Sequence, residues 1–216
     1  MKILFIGNSY TFFNDMPSIL ENLARENGED VTVFSVTKGG RRLFQNLIDG
    51  DEWGTKIKEL CSAHSFDVLI LQEQSYLPVV DEKKFIEGAS GVKSLVGAKR
   101  TVLYSTWGRK EGCLLLDELK MSSSEMTDAL ARSYERCAEA INAEISYVGR
   151  AFAKIRKENE ATELYSSDLS HPSYDGSVTA AICLYKTILG KMPNLYNSIG
   201  TDNSVLTTIV NVINHL

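Results

Sequence analysis

The chain has 216 residues, 44% of them hydrophobic, and a formal net charge of −5. That length and apolar content supply one sizeable core and fit one domain, or two at most. No basic stretch points to nucleic acid, and no apolar run approaches the roughly 20 residues of a membrane span.

In chain order, Met1-Lys2 leads directly into Ile3–Ile6, an unbroken apolar run that reads as a strand buried on both faces at the centre of a parallel sheet. The run is too short for the core of a signal peptide and lacks a small-residue cleavage site, which points to a cytoplasmic protein. Gly7-Asn8-Ser9 ends it. In an open α/β sheet, ligands bind in the crevice at the carboxyl ends of the strands, so Ser9 stands where a nucleophile would stand. Asn14-Asp15-Met16-Pro17 has the pattern of a helix cap followed by proline in the first turn. Ile19, Leu20, Leu23 and Ala24 give that helix an apolar face, and Asn27-Gly28 ends it.

Val31–Val36 is the second expected strand, followed by Lys38-Gly39-Gly40. A short helix is expected over Leu43–Ile48 and another over Trp53–Ala63. Phe66–Leu71 is the third strand and emerges into Gln72-Glu73-Gln74-Ser75. A helix over Asp81–Val96 contains glycines that weaken it. Thr101–Ser105 is the fourth strand, followed by Thr106-Trp107-Gly108. Arg109–Ser122 fits either a lid or a broken helix. Ser122 and Glu125 have capping-box spacing and open a long helix that runs to about Ala143. Glu144–Val148 is a short fifth strand, and Ala151–Asn159 is helical. The loop Ser166–Ser173 leads into a helix over Tyr174–Leu189, and a last helix covers Ser204–Asn214. Five strands alternating with helices predict a three-layer α/β/α sandwich around a parallel sheet with right-handed crossovers. No repeat, low-complexity tract or linker interrupts it, so residues 1–216 read as a single domain.

The four cysteines, Cys61, Cys113, Cys137 and Cys183, include no close pair, which excludes a CxxC redox or zinc site. Cys61, Cys137 and Cys183 read as small core residues. Cys113, in a Gly-containing loop, is the one candidate reactive thiol.

A serine becomes a useful nucleophile when a base takes its proton and a third group orients that base. The base is usually histidine, and the chain has three. His64 precedes the third strand, at the wrong end of the sheet. His215 is next to last, where chains fray. His171 remains, three residues after Asp168. A turn of chain can return that carboxylate to the imidazole Nδ1, leaving Nε2 for the serine. The alternative is that Asp168 caps the following turn and His171 is simply exposed, and spacing alone favours it.

Oxyanion donors are available at the other strand ends. Gly39 or Gly40 offers an unobstructed backbone N–H, Gln72 or Gln74 a side-chain amide, and Ser9 its own N–H. The alternatives are an ordinary turn for the glycines and a hydrogen-bonded strand end for the glutamines. Glu73 fits a structural acceptor or a rival orienting carboxylate. Trp107 fits either a platform on which a sugar or acyl group stacks or a cover for the helix below. Tyr10, Phe12 and Phe13 fit a pocket wall, the two phenylalanines equally the core.

Ile6-Gly7-Asn8-Ser9-Tyr10-Thr11, Gly39-Gly40 after the second strand and Asp168-Leu169-Ser170-His171-Pro172 together resemble the SGNH/GDSL hydrolase superfamily, in order and spacing over most of the chain. The resemblance implies a flavodoxin-like fold and a serine esterase in which Ser9 is the nucleophile, His171 the base and Asp168 its orienter. Gly40, or Gly39, matches the family's oxyanion glycine. The third block departs from the pattern. The family usually has Gly-x-Asn there, and this chain has Gln72-Glu73-Gln74-Ser75, similar to the Gln-containing block of the sialate O-acetylesterase and acetylxylan esterase branches. Either glutamine is a candidate substitute for the asparagine. The implied substrate is a small-molecule ester, an acetylated carbohydrate among the candidates.

A thioesterase or lysophospholipase of the same superfamily is the alternative enzyme, and a catalytically degenerate binding module the alternative outside enzymes. A nucleotide or phosphoacceptor module is disfavoured, because the chain has no G-x-G-x-x-G or P-loop and no acidic ends on the first and third strands beyond Glu73. The triad mechanism needs no cofactor, and one histidine with scattered carboxylates makes no metal ligand set.

Overall fold

The computed structural model describes residues 1–195 and 199–216. Its elements are β1 (Lys2–Gly7), α1 (Ser9–Phe12), α2 (Met16–Glu26), β2 (Thr32–Thr37), α3 (Glu52–Ala63), β3 (Val68–Leu71), α4 (Leu77–Val80), α5 (Glu82–Val96), β4 (Arg100–Tyr104), α6 (Leu114–Leu119), α7 (Ser123–Ile141), β5 (Glu144–Ser146), α8 (Val148–Glu158), α9 (Tyr174–Leu189) and α10 (Asn203–Asn214). Two short 3₁₀ turns cover Phe13–Asp15 and Leu43–Leu47.

The strands form one sheet in the order β2-β1-β3-β4-β5. Every pairing is parallel, with Ile3 opposite Val33 and Val68, Val68 opposite Arg100, and Leu103 opposite Ile145. Side chains alternate across a strand, and both faces are buried here. Ile3, Phe5, Val68, Ile70, Val102 and Tyr104 join a core built with α2, α8, α9 and α10. Leu4, Ile6, Leu69, Leu71 and Leu103 join a second core under α3, α5 and α7. The apolar runs therefore lack a polar face because helices cover the sheet on both sides, giving an α/β three-layer arrangement.

Several boundaries differ from the expectation for local reasons. Strand five stops at Ser146 because α8 begins at Val148, three residues before the expected Ala151. A short helix, α4, follows the third strand end and was not expected. The Arg109–Ser122 segment contains one six-residue helix, α6, between loops. The largest correction concerns Asn14 and Asp15. Both have φ of +52°, and neither side chain caps α2. Asn14 instead spends its amide on another part of the chain, described below. The capping box of α7 forms as expected, with the Ser122 hydroxyl accepting the Glu125 N–H and Glu125 accepting the Ser122 N–H.

No helix among the described residues is long and apolar enough to cross a membrane. The four cysteines are free thiols, Cys137 and Cys183 buried, Cys61 and Cys113 partly so.

Candidate active site

The carboxyl end of β1 shapes the site. Gly7 is its last residue, and Asn8 follows as the N-cap of α1, its side-chain oxygen accepting the Tyr10 N–H at 3.2 Å. Asn8 also donates from its amide to the Arg41 carbonyl at 3.0 Å, fixing the loop after β2 against the loop after β1. Ser9 is thus the first residue of a helical turn at the rim of the sheet. A side chain at position 7 has no room, because a Cβ there would lie 2.5 Å from Thr11 Oγ1 and 2.8 Å from Gln72 Oε1.

The partner loop comes from the other end of the sequence. Residues 166–173 form a tight excursion between Tyr165 and α9. Ser166 donates its N–H to the His171 carbonyl at 2.8 Å, Tyr165 and Pro172 form an isolated bridge, and Leu169 takes φ of +61°. Ser173 caps α9 through the Gly176 N–H at 3.0 Å. Asn14 holds this loop against the serine turn, its amide donating to the carbonyls of Pro172 (3.2 Å) and Ser173 (3.0 Å) and to the Ser177 hydroxyl (2.9 Å). Those bonds explain the left-handed backbone at Asn14, a conformation asparagine tolerates better than most residues.

Between these two segments His171 Nε2 lies 2.8 Å from Ser9 Oγ, and His171 Nδ1 lies 2.5 Å from Asp168 Oδ2. The other Asp168 oxygen accepts the backbone N–H groups of Ser170 (3.0 Å) and His171 (2.9 Å). Partial burial works against ionisation of Asp168, yet the bonds from the His171 ring and from these two N–H groups outweigh it and hold the carboxyl below its usual range. Phe13 stacks on the imidazole at 4.2 Å and 12°, and Tyr10 meets it edge-on at 5.5 Å. The ring is therefore fixed by contacts on both its nitrogens and its face. His64 and His215 lie elsewhere, at the ends of α3 and α10.

A cavity of about 170 Å³ opens beside Ser9 and His171. Gly40 lines it with φ of +68°, a region that favours glycine, whereas Gly39 does not line it. Among the described residues no acceptor takes the N–H of Ser9 or of Gly40.

The two glutamines separate clearly. Gln72 is 1% exposed, its carbonyl accepts the Asn8 N–H and the Thr11 hydroxyl, and its amide nitrogen donates to the Glu73 carbonyl. It does not line the cavity. Gln74 lines the cavity. Its carbonyl accepts the Tyr76 and Leu77 N–H groups at 3.3 and 3.1 Å, so the amide nitrogen is the end left for the site, with only a long 3.4 Å contact to Ser75 Oγ. Glu73, 0% exposed, lies far from the histidine loop in its bonding. Its carboxyl accepts the Leu43 N–H on both oxygens and the Gln74 N–H.

Trp107 is not a rim platform. It is 0% exposed and sandwiched between Tyr10 (4.7 Å, 7°) and Phe152 (4.0 Å, 5°), with its indole N–H donating to the Ser170 carbonyl at 3.1 Å. It supports the pocket wall and the histidine loop from behind, because the chain after β4 turns inward beneath α8. Tyr10 lines the cavity, its hydroxyl bonded to Ser170 Oγ and to Arg109. Phe12 is 40% exposed, and Phe13 is the histidine's stacking partner.

Sequence reasoning missed Arg109, which also lines the cavity. Its signal was available, since it follows Trp107 at the carboxyl end of β4, where ligands bind in such sheets. It missed Asn14 as the clamp on the histidine loop, for which the sequence has no signal. Among the described residues no group of three or more His, Cys, Asp or Glu side chains could hold a metal ion.

No protein-family model and no curated protein matches the chain. Solved structures do. A DUF4886 family protein from Bacteroides uniformis superposes with a TM-score of 0.83 at 14% identity, over 100% of this chain and 93% of that one. An acetylxylan esterase from Geobacillus stearothermophilus superposes with a TM-score of 0.58 at 14% identity, over 88% of this chain and 92% of that one. Identities this low show a shared fold. A protein from Slackia heliotrinireducens that bears the SGNH hydrolase name is 30% identical, with a TM-score of 0.76 over 87% of this chain and 98% of that one. With that identity over 87% of this chain and 98% of the other, the chain belongs to the SGNH hydrolases.

Proposed function

We propose that the chain is a single-domain serine esterase that removes small acyl groups, acetyl foremost, from a polar alcohol such as a carbohydrate. The observation that carries the reading is the continuous hydrogen-bonded series from Ser9 Oγ through the His171 ring to Asp168, at the end of the sheet where ligands bind.

In this reading His171 Nε2 takes the Ser9 proton as Oγ attacks the ester carbonyl carbon, and Asp168 stabilises the imidazolium that results. The negative charge that develops on the carbonyl oxygen is met by the Ser9 and Gly40 N–H groups and the Gln74 amide. The C–O bond to the alcohol breaks, and His171 returns the proton to the leaving oxygen. Water, deprotonated by the same histidine, then hydrolyses the acyl-enzyme. Gln74 replaces the family's asparagine as a donor, while Gln72 has become an internal brace of the serine turn.

The lining supports a small polar substrate over a lipid. The cavity is about 170 Å³, and apart from the Tyr10 ring its side chains are hydroxyl, amide, imidazole and guanidinium groups. A long acyl chain would want an apolar slot, so the thioesterase or lysophospholipase alternative has no observation in its favour. The 2.8 Å contact between His171 and Ser9 likewise favours a competent site over a degenerate binding module.

The test is hydrolysis of p-nitrophenyl acetate by the purified protein and by its Ser9→Ala variant. Turnover by the first and none by the second is expected. Equal rates would remove the assignment, and a rate that rises steadily from acetate to decanoate esters would move it to the long-chain class.

A further inference from the structure

One side chain in the cavity carries a full charge that the chemistry above does not use. Arg109 lies five residues beyond the end of β4, two after the buried Trp107, in the wall beside Ser9. Its two terminal nitrogens donate to neutral hydroxyls, one to Tyr10 and the other to Ser75 Oγ at 2.7 Å. Its guanidinium carbon lies 5.3 Å from the centre of the Tyr10 ring. Its Nε is buried and has no hydrogen-bond partner.

No carboxylate answers this charge. Among the described residues Arg109 forms no ion pair; Arg42, Arg132 and Arg156 form none either, but of these four only Arg109 lines the cavity. No Asp or Glu lines the cavity. Withdrawing a guanidinium from water without a counter-charge is unfavourable, and its planar fork matches a carboxylate in two-point geometry. The group is also held in place. The adjacent Lys110 N–H donates to the Leu169 carbonyl at 2.9 Å, and the Lys110 side chain pairs with Glu163. The strap carrying Arg109 is thereby fixed to the loop that carries His171, so the charge keeps its position relative to the reacting atoms.

We infer that Arg109 is a specificity-determining residue that selects esters bearing a carboxylate beside the scissile bond, on either the acyl or the alcohol part. This rests on the serine-esterase reading and names its substrate class. Tyr10 and Ser75 hold the guanidinium, and the substrate's carboxylate takes the second N–H of each terminal nitrogen.

Two matched pairs of esters test it, with rates divided by those of hydroxide hydrolysis to remove intrinsic reactivity. For the acyl arm, p-nitrophenyl hemisuccinate is compared with p-nitrophenyl butyrate. For the alcohol arm, 4-carboxyphenyl acetate is compared with 4-methylphenyl acetate. In at least one arm the wild type is expected to favour the carboxylate ester in kcat/KM by roughly 10- to 100-fold, the range of a charge-assisted hydrogen bond. Arg109→Met is expected to abolish the preference through KM, and Arg109→Lys to restore part of it. The ratio is taken within each protein, so loss of folded material cancels. If Arg109→Met is insoluble, inhibition of wild-type butyrate ester hydrolysis by succinate but not by succinamide reads the same site. No charge preference in either arm, an unchanged preference in Arg109→Met, or equal inhibition by the two additives overturns the inference. In those cases continued hydrolysis that Ser9→Ala abolishes leaves the esterase reading standing. A wild type inert toward all four esters overturns both.

Discussion

The side-chain carbonyl of Gln72 accepts the backbone N–H of Asn8 at 2.9 Å and the hydroxyl of Thr11 at 3.0 Å. The end of β3 is thereby fastened to the turn that presents Ser9. Gln72→Ala leaves two buried donors without an acceptor, which costs about 1–3 kcal/mol. We expect a lower melting temperature and, because the serine turn loses its brace, a lower kcat in the same variant. Gly7→Ala is expected to damage the same junction from the other side, since its Cβ would enter the space held by Thr11 and Gln72. Thermal melting with p-nitrophenyl acetate kinetics checks both, and a Gln72→Ala protein with wild-type stability would contradict the brace.

Gln74 should behave in the opposite way. Its carbonyl holds the Tyr76 and Leu77 N–H groups at the start of α4, the residue lines the cavity, and its nitrogen has only a long contact to Ser75 Oγ. Loss of one oxyanion donor lowers kcat by roughly 10²- to 10³-fold. Gln74→Ala is expected to lose kcat on that scale with little change in KM, because the bond strengthens in the transition state. A Gln74→Ala protein that keeps wild-type kcat, beside a Gln72→Ala protein that keeps wild-type stability but loses kcat on that scale, would reverse the two assignments.

Asp168 orients the base through one oxygen and shapes its own loop through the other. Asp168→Asn keeps a carbonyl for the Ser170 and His171 N–H groups but removes the charge opposite the ring and can favour the wrong tautomer. Nearly half of its side chain is exposed, so the electrostatic contribution to folding is screened. We expect kcat to fall by roughly 10²- to 10⁴-fold while the melting temperature changes little. A variant that keeps wild-type kcat would show that the carboxylate only caps the turn.

The sheet was legible in the sequence because its strands are short apolar runs ended by polar or glycine-containing turns, and a parallel sheet covered on both faces requires runs of that kind. Scarcity made the Ser9, Asp168 and His171 contacts legible, since the chain has three histidines and two lie at the wrong places. The glutamines were not separable, because residues 72 and 74 sit two apart at a strand end. The fate of Gln72 depends on contacts 61 and 64 residues away that no local pattern encodes. Trp107 misled for a related reason. Strand-end position suggested the rim, but packing of Phe152 and Tyr10 on its two faces decided its burial. Asn14 read as a helix cap by residue type, and tertiary bonds to the histidine loop overrode that local preference.

Glu73 sets the last expectation, for pH. Its carboxyl is fully buried, and burial pushes its pKa up to about 8, against the pull of the Gln74 and Leu43 N–H groups and the Arg42 charge. The ordinary value is 4.5, so the folded chain holds this proton more tightly than the unfolded one. The resulting stabilisation is complete below the ordinary value and is lost as pH rises through about 8. A shift of this size corresponds to an effect on the order of a few kcal/mol. Urea unfolding of the wild type is therefore expected to show stability declining between roughly pH 5 and pH 9 on account of this residue. Glu73→Gln, neutral throughout and still able to accept the Leu43 N–H, is expected to flatten that decline. Because Leu43 follows the Gly40 loop, the wild type should also lose esterase activity at alkaline pH before the variant does. Parallel stability profiles for the two proteins would show that the Glu73 proton has no part in holding that loop.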